Sequence, residues 1–188
     1  STAVHELPPI AMCADVEALR APPPPPDNPK ERAQVDALKV HLAEVKAEQH
    51  FGRYGVALER ARTLAQQASS LNYAPIKADA LFLLGEFEER VTARQAEKTF
   101  VRAAAAAMES RNQPLVAQTW IRLTALTGYR LNQPEKAESW AMLADAALDA
   151  LSQSDAQPLQ VQLQVARCQV ETGKRAYDRA IELCQQAL

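Results

Sequence analysis

A pattern of alanine followed by other small or medium-sized residues recurs four times in the chain. The alanines that begin it, Ala57, Ala96, Ala137 and Ala180, are 39, 41 and 43 residues apart, and the pattern continues four and seven positions after each one. Small residues at this spacing form a stripe along a helix, where a neighbouring helix can approach closely. The repeat therefore predicts a chain that folds by stacking similar helical units.

The prolines indicate where these helices begin. Four of the twelve prolines, at 75, 114, 134 and 158, each stand just ahead of a segment with helical apolar spacing, where a missing N–H costs nothing. The spacing predicts helices over 31–50, 54–70, 75–91, 94–110, 115–130, 135–152, 159–172 and 175–188. Short connections would join them into four antiparallel hairpins, with repeats at 31–70, 75–110, 115–152 and 159–188. We therefore expect residues 30–188 to be one all-α domain.

Residues 1–29 form a proline-rich leader that contains the other eight prolines. Proline cannot lie in a helix interior without removing a hydrogen bond, and the run of five at 22–26 predicts a stiff polyproline II segment. Only residues 14–20 leave room for a short helix. We expect the leader to be a spacer; the alternative is a proline ligand for another domain, although no basic residue flanks the run closely in the manner usual for such ligands.

Charge and composition weigh against several classes of function. The 188 residues carry 21 Lys and Arg against 23 Asp and Glu, so no basic stripe is present to bind a nucleic-acid backbone. No run of 18 apolar residues occurs, and the first residues lack the order of a signal peptide. Cys13, Cys168 and Cys184 are too few and too far apart for a disulfide framework. We expect the last two to be buried free thiols and the protein to be cytoplasmic.

Several residues in the helices and turns resemble the tetratricopeptide repeat family. They are Leu81 with Leu84 and Gly85, Trp120 with Leu123, Gly52-Arg53-Tyr54, and Gly173 with Tyr177. The resemblance is to a long-period variant, since the standard repeat has about 34 residues. The first repeat departs from the family in having His41 and Glu44 in place of an aromatic residue and a leucine. The resemblance implies a TPR-like α–α superhelix of four hairpins.

A second resemblance concerns the leader. The string Leu7–Leu19, together with Trp120–Leu123 and Gly128–Leu131, is similar to large bacterial serine/threonine protein kinases of the myxobacterial type. This implies that the chain is the C-terminal, partner-binding region of such a kinase. The chain itself lacks the G-x-G-x-x-G, H-R-D and D-F-G motifs, so we do not expect it to be an enzyme. A chain that ends inside its last helix would leave that hairpin uncapped, which predicts homo-oligomer formation there.

No cluster of residues predicts a catalytic, metal or cofactor site. His41, Glu44 and Glu48 share a helical face but lack the H-E-x-x-H spacing of a zinc site. Trp120 and Trp140 fit core packing better than a platform for stacking a ligand. We therefore predict a binding module without cofactor or metal.

The family resemblance implies that the first helix of each hairpin lines a concave groove that binds a protein or peptide. Matching positions are Lys39, Lys46, Gln49, Phe82, Glu86, Glu89, Gln118, Arg122, Ala125, Leu163 and Arg167. Because these residues mix both charges, we expect an extended or helical peptide of mixed charge. The alternative is a ligand-sensing solenoid, in which a small molecule lodged near Trp120 and Tyr129 alters the curvature.

Overall fold

The computed structural model describes residues 21–48 and 54–186, and no strand occurs among them. Their helices are α1 (Pro29–Glu48), α2 (Tyr54–Ser70), α3 (Ala74–Val91), α4 (Ala93–Glu109), α5 (Gln113–Ala125), α6 (Pro134–Asp149), α7 (Gln153–Gly173) and α8 (Tyr177–Gln186). The prediction of an all-α fold is confirmed for this part of the chain. Predictions about Leu7–Leu19 and Cys13, about Gln49, His50 and Gly52-Arg53, and about Leu188 lie outside the described residues.

Each helix packs against the next one along the chain, and the short turns between them make neighbours antiparallel. The repeated alanine stripes lie at these contacts. Ala57, Ala96 and Ala137 have no exposed surface, and Ala180 is 5% exposed. The small side chains on these lines allow the helix backbones to approach closely, and where the α4 line carries the larger Phe100, Gly85 of α3 lies opposite its ring.

Local sequence signals explain most helix starts. Pro75, Pro114 and Pro134 lie in the first turn of α3, α5 and α6. The side chain of Asn112 caps α5 by accepting a hydrogen bond from the Leu115 amide at 3.2 Å. Our predicted start of α7 is wrong, because Pro158 lies inside that helix. Ser152 caps α7 six residues earlier, where its hydroxyl accepts from the Asp155 amide.

The predicted helix over 115–130 changes character before its end. Residues Leu126–Arg130 form one π-helical segment, in which each residue advances less along the axis than in an α-helix. This segment contacts α7 closely: a Cβ added at Gly173 would lie 2.6 Å from the Gly128 carbonyl oxygen, and a Cβ at Gly128 would overlap Val170. Two glycines therefore allow the ends of α5 and α7 to touch.

The proline run lies against the helical domain rather than projecting from it. Pro23 and Pro26 are half-buried while the prolines between them are exposed, which matches the three-residue period of polyproline II. The Tyr73 hydroxyl donates to the Pro23 carbonyl at 3.5 Å, and the Arg111 guanidinium donates to the Ala21 carbonyl at 3.4 Å. The segment thus follows the turns that precede α3 and α5.

Candidate functional site

A cleft of about 330 Å³ opens between the alternate helices α1, α3 and α5. It is lined by Lys39, Leu42, Ala43 and Lys46 of α1, by Ile76, Asp79, Phe82, Leu83 and Glu86 of α3, and by Leu115 and Gln118 of α5. We call it the α1–α3–α5 cleft. Five of the predicted groove residues line it: Lys39, Lys46, Phe82, Glu86 and Gln118. The structure thus brings residues from the first three predicted repeats into one concave site.

The α1 wall of the cleft is positively charged. Lys39 and Lys46 are two helical turns apart and therefore share one face of α1. The Lys39 ammonium lies 3.2 Å from an Asp36 carboxylate oxygen, but both side chains are more than half exposed, so this pair contributes little to stability. Lys46 is exposed and has no ion-pair partner among the described residues. Its charge is therefore open to a ligand.

Helix α3 forms the floor of the cleft and carries two carboxylates, Asp79 and Glu86. They are seven residues apart, as Lys39 and Lys46 are on α1. Burial raises the pKa of Asp79 above its ordinary value of 3.8, and the charges of Lys46 and Lys39 oppose part of this increase. Burial likewise raises the pKa of Glu86, against the opposing effect of Arg122. At both carboxylates, partial desolvation outweighs the attraction of the neighbouring charges, although Asp79 is an exposed residue that stays in contact with water and Glu86 is half-buried.

Arg122 joins α5 to α3 beside the cleft, through ion pairs with Glu86 and Glu89. One of its terminal nitrogens is 2.9 Å from a Glu89 carboxylate oxygen and 3.6 Å from a Glu86 carboxylate oxygen. Both glutamate side chains are less than one-fifth exposed, which limits solvent screening. Three of the predicted groove residues therefore form an ion-pair cluster in which the charge of Arg122 is already neutralised.

Phe82 contributes an apolar edge to the cleft. It is 8% exposed, and its ring packs against Phe100 of α4 with the centroids 5.6 Å apart and the planes tilted by 58°. This edge-to-face arrangement fixes the ring. Phe82 therefore provides a rigid floor rather than an adaptable contact.

The remaining predicted groove residues lie elsewhere. Leu163 is 2% exposed and belongs to the core, so its groove assignment is wrong; it lies on the buried stripe of α7 with Leu159, Ala166 and Val170. Ala125 is partly buried and packs against the core. Arg167 pairs with Asp145 of α6 and lines a separate cleft of about 360 Å³ built from α5 to α8. Packing against neighbouring helices determines which face of α7 is buried, and the sequence pattern of α7 alone did not determine it.

Asp79 was missed by the sequence analysis, although it lines the α1–α3–α5 cleft. The signal was present, because Asp79 precedes Glu86 by the same seven residues that separate Lys39 from Lys46. Equal charge spacings on two helices indicate a common site only when the structure shows that both helices line one cleft.

The polar residues considered for metal binding are engaged in joining α1 to α2. Arg60 of α2 donates to Glu44 at 3.0 Å and also pairs with Glu48. His41 lies in the same region, against Gln67 and Leu38. Among the described residues, no group of three or more His, Cys, Asp or Glu side chains is placed to hold a metal ion.

The two tryptophans stack on each other at the margin of the core. Their ring centroids are 5.2 Å apart with an interplanar angle of 8°, and both rings are partly buried. Trp140 therefore covers one face of Trp120, while Tyr129 is 53% exposed. This arrangement provides packing between α5 and α6 and leaves that face of Trp120 closed to a small molecule.

Our prediction of two free, buried thiols is wrong. Cys168 and Cys184 form a disulfide between α7 and α8, with their Cα atoms 5.5 Å apart. The two cysteines are 16 positions apart in the sequence, and the chain between them follows α7, turns and returns along α8, so the hairpin brings the two thiols together. Cys168 is buried and Cys184 is exposed. The predicted cytoplasmic location loses the support that free thiols had provided.

No family model, curated protein or solved structure matches the chain. Within residues 21–48 and 54–186, no helix has the length and apolar character needed to cross a bilayer.

Proposed function

We propose that this chain is a noncatalytic helical-repeat module of the TPR type, which binds a peptide or protein partner in the α1–α3–α5 cleft. The observation that supports this most is the charge distribution of the cleft. Lys46 and Asp79 lie in the same concave space, yet neither has an ion-pair partner among the described residues. Unpaired charges beside an apolar floor are characteristic of a surface that a ligand completes.

The TPR assignment is part of the proposal. It is supported by the alanine stripes, by the alternation of helices, and by the fact that the cleft is lined by the first helix of three successive hairpins. In a repeat array of this type, the first helices form the inner surface. We propose that the cleft is the beginning of that inner surface.

A cleft-filling variant tests the proposal. Ala43 is an exposed residue that lines the cleft, so Ala43→Trp should fill it without opening the core. Ala146→Trp makes the same change at an exposed position on α6, away from the cleft, and serves as the control. We expect proteins retained from a native bacterial lysate by the wild type and by Ala146→Trp to be lost by Ala43→Trp, as measured by mass spectrometry. Retention of no protein, or equal retention by the two variants, would contradict the proposal.

We further propose that the module belongs to a serine/threonine protein kinase and has a regulatory or recruiting role there. This rests on the sequence strings Leu7–Leu19, Trp120–Leu123 and Gly128–Leu131 alone. Sequencing the reading frame upstream of Ser1 tests it directly. We expect a domain carrying the G-x-G-x-x-G, H-R-D and D-F-G motifs, and a frame without them contradicts this part of the proposal.

A further inference from the structure

Asp79 differs from the other interhelical carboxylates near the cleft. Glu86 and Glu89 are paired with Arg122, and Glu44 is paired with Arg60. Asp79 makes no hydrogen bond or ion pair among the described residues; Lys46 and Lys39 influence it only at longer range. The cleft therefore contains one carboxylate whose charge the protein does not match.

The surroundings of Asp79 suit the side chain of a basic residue. Ile76 is one turn before Asp79 on α3, Leu83 is one turn after it, and Leu42 faces the same space from α1. Ile76 is fully buried, whereas Leu42 and Leu83 are 8% and 5% exposed and offer an apolar edge on which an alkyl stem can lie. Lysine and arginine have such stems, and they place a charged head group at the end.

The two lysines on the opposite wall restrict the partner further. A polybasic segment would place its additional charges beside Lys39 and Lys46, where like charges repel. An acidic segment lacking a basic residue would have to approach Asp79 and Glu86. A segment with a single basic side chain and apolar or acidic neighbours can pair its positive charge with Asp79 and avoid repulsion from Lys39 and Lys46.

Building on the proposed function, we infer that the α1–α3–α5 cleft recognises a peptide through one lysine or arginine side chain, whose head group pairs with Asp79 and whose stem packs on Leu42 and Leu83. On binding, the ion pair with the peptide's basic head group replaces the water contacts that the Asp79 carboxylate lost in the folded protein. The cleft selects for sign of charge as well as for shape.

Selection from a random 12-residue peptide library displayed on phage tests this inference. We expect peptides enriched on the wild-type protein to contain one lysine or arginine beside apolar residues. A synthetic copy of such a peptide should bind Asp79→Asn about tenfold more weakly than it binds the wild type. Asp149→Asn, which makes the same change at an exposed site on α6, should leave the affinity unchanged.

A double-mutant cycle shows whether the two groups interact directly. Replacing the basic residue of the peptide by methionine should weaken binding to the wild type by a similar factor and cause no further loss on Asp79→Asn. Peptides that lack a basic residue, or that bind Asp79→Asn with full affinity, overturn the inference.

The Ala43→Trp variant separates this inference from the proposed function. If Ala43→Trp blocks the selected peptides but Asp79→Asn does not, the cleft binds peptides and only the role of Asp79 is overturned. If Ala43→Trp binds them normally, or if selection enriches no peptide, the proposed function fails and the inference fails with it.

Discussion

At the scale of single residues, Asp79 links the stability of the protein to the binding that we propose for the cleft. Protein atoms surround part of its carboxylate, while its open side faces the cleft. A partly desolvated carboxylate without a partner lowers the stability of the free protein, and a ligand that pairs with it removes this destabilisation. This distinguishes a binding residue from a structural one, because a structural carboxylate stabilises the fold that contains it.

We predict that Asp79→Asn increases stability at neutral pH. The pKa of Asp79 is raised above 3.8 in the folded state, so its contribution to stability is fully present below the unfolded value and declines as pH rises through the folded pKa. Removing the charge should raise the free energy of unfolding at pH 7 by less than about 1 kcal/mol, since the residue keeps contact with water. Urea denaturation should show this difference at pH 7 and no difference near pH 3. A less stable variant at pH 7 would contradict the prediction.

A second prediction concerns Gly85, a residue on which the family resemblance rested. A Cβ at this position would lie 2.6 Å from the Phe100 ring, which is itself fully buried. Gly85→Ala should therefore destabilise the protein by about 1–3 kcal/mol through overpacking, although alanine favours helix formation. Chemical denaturation measures this change.

Gly55 provides the matched control for Gly85. It lies in α2, and nothing is within 4 Å of an added Cβ. Gly55→Ala should leave stability unchanged or raise it by up to about 1 kcal/mol, because only helix propensity changes. Equal effects at the two glycines would show that the contact with Phe100 does not determine the cost.

At the scale of secondary-structure elements, the last hairpin is held differently from the others. Helix α8 has ten residues and packs chiefly on α7, so it buries less apolar surface than the inner helices. The Cys168–Cys184 disulfide supplies a covalent link between these two helices. A crosslink of this kind restricts the separation of the helices even where few side chains are buried.

We predict that reduction loosens α8 selectively. Closing a loop of about 16 residues contributes roughly 3 kcal/mol in the chain-entropy account, so amide exchange in Tyr177–Gln186 should accelerate after reduction. The amides of α3 and α4, which lie outside the crosslinked hairpin, provide the internal control. Thiol titration of the unfolded protein should find one reactive cysteine before reduction and three after it. Three thiols before reduction would contradict the disulfide.

At the scale of the whole molecule, the last hairpin presents an apolar surface. Tyr177 and Ile181, one turn apart on α8, are 60% and 56% exposed, and Val161 and Val165 of α7 are also exposed. Large apolar side chains that are exposed on one hairpin favour association with another protein surface. We expect a second copy of the chain to provide it.

This predicts a concentration-dependent dimer that is weakened by Ile181→Glu. Light scattering over a range of concentrations should show the mass rising towards twice that of the monomer for the wild type, but not for the variant. Val101→Glu, at an exposed position on α4, is the control and should behave as the wild type. A wild-type protein that stays monomeric at high concentration contradicts the prediction.

The sequence by itself determined the all-α class and the approximate position of the described helices, apart from the start of α7. Both depend on local interactions: apolar spacing sets which face is buried, and prolines and caps set where helices start. The alanines that begin the four stripes are buried, as their helical spacing predicts. These signals act over one or two helical turns, and they can be recognised without knowing what packs against them.

The tertiary structure decided which residues meet. Packing turned Leu163 into the core and Arg167 towards α6, it paired Cys168 with Cys184, and it placed Asp79 on the floor of a cleft. Each of these outcomes depends on the rotation of one helix against another, and a change of one residue in register alters it. Local spacing leaves that rotation open because several faces of these alanine-rich helices could be buried. Only the fit of neighbouring helices selects one.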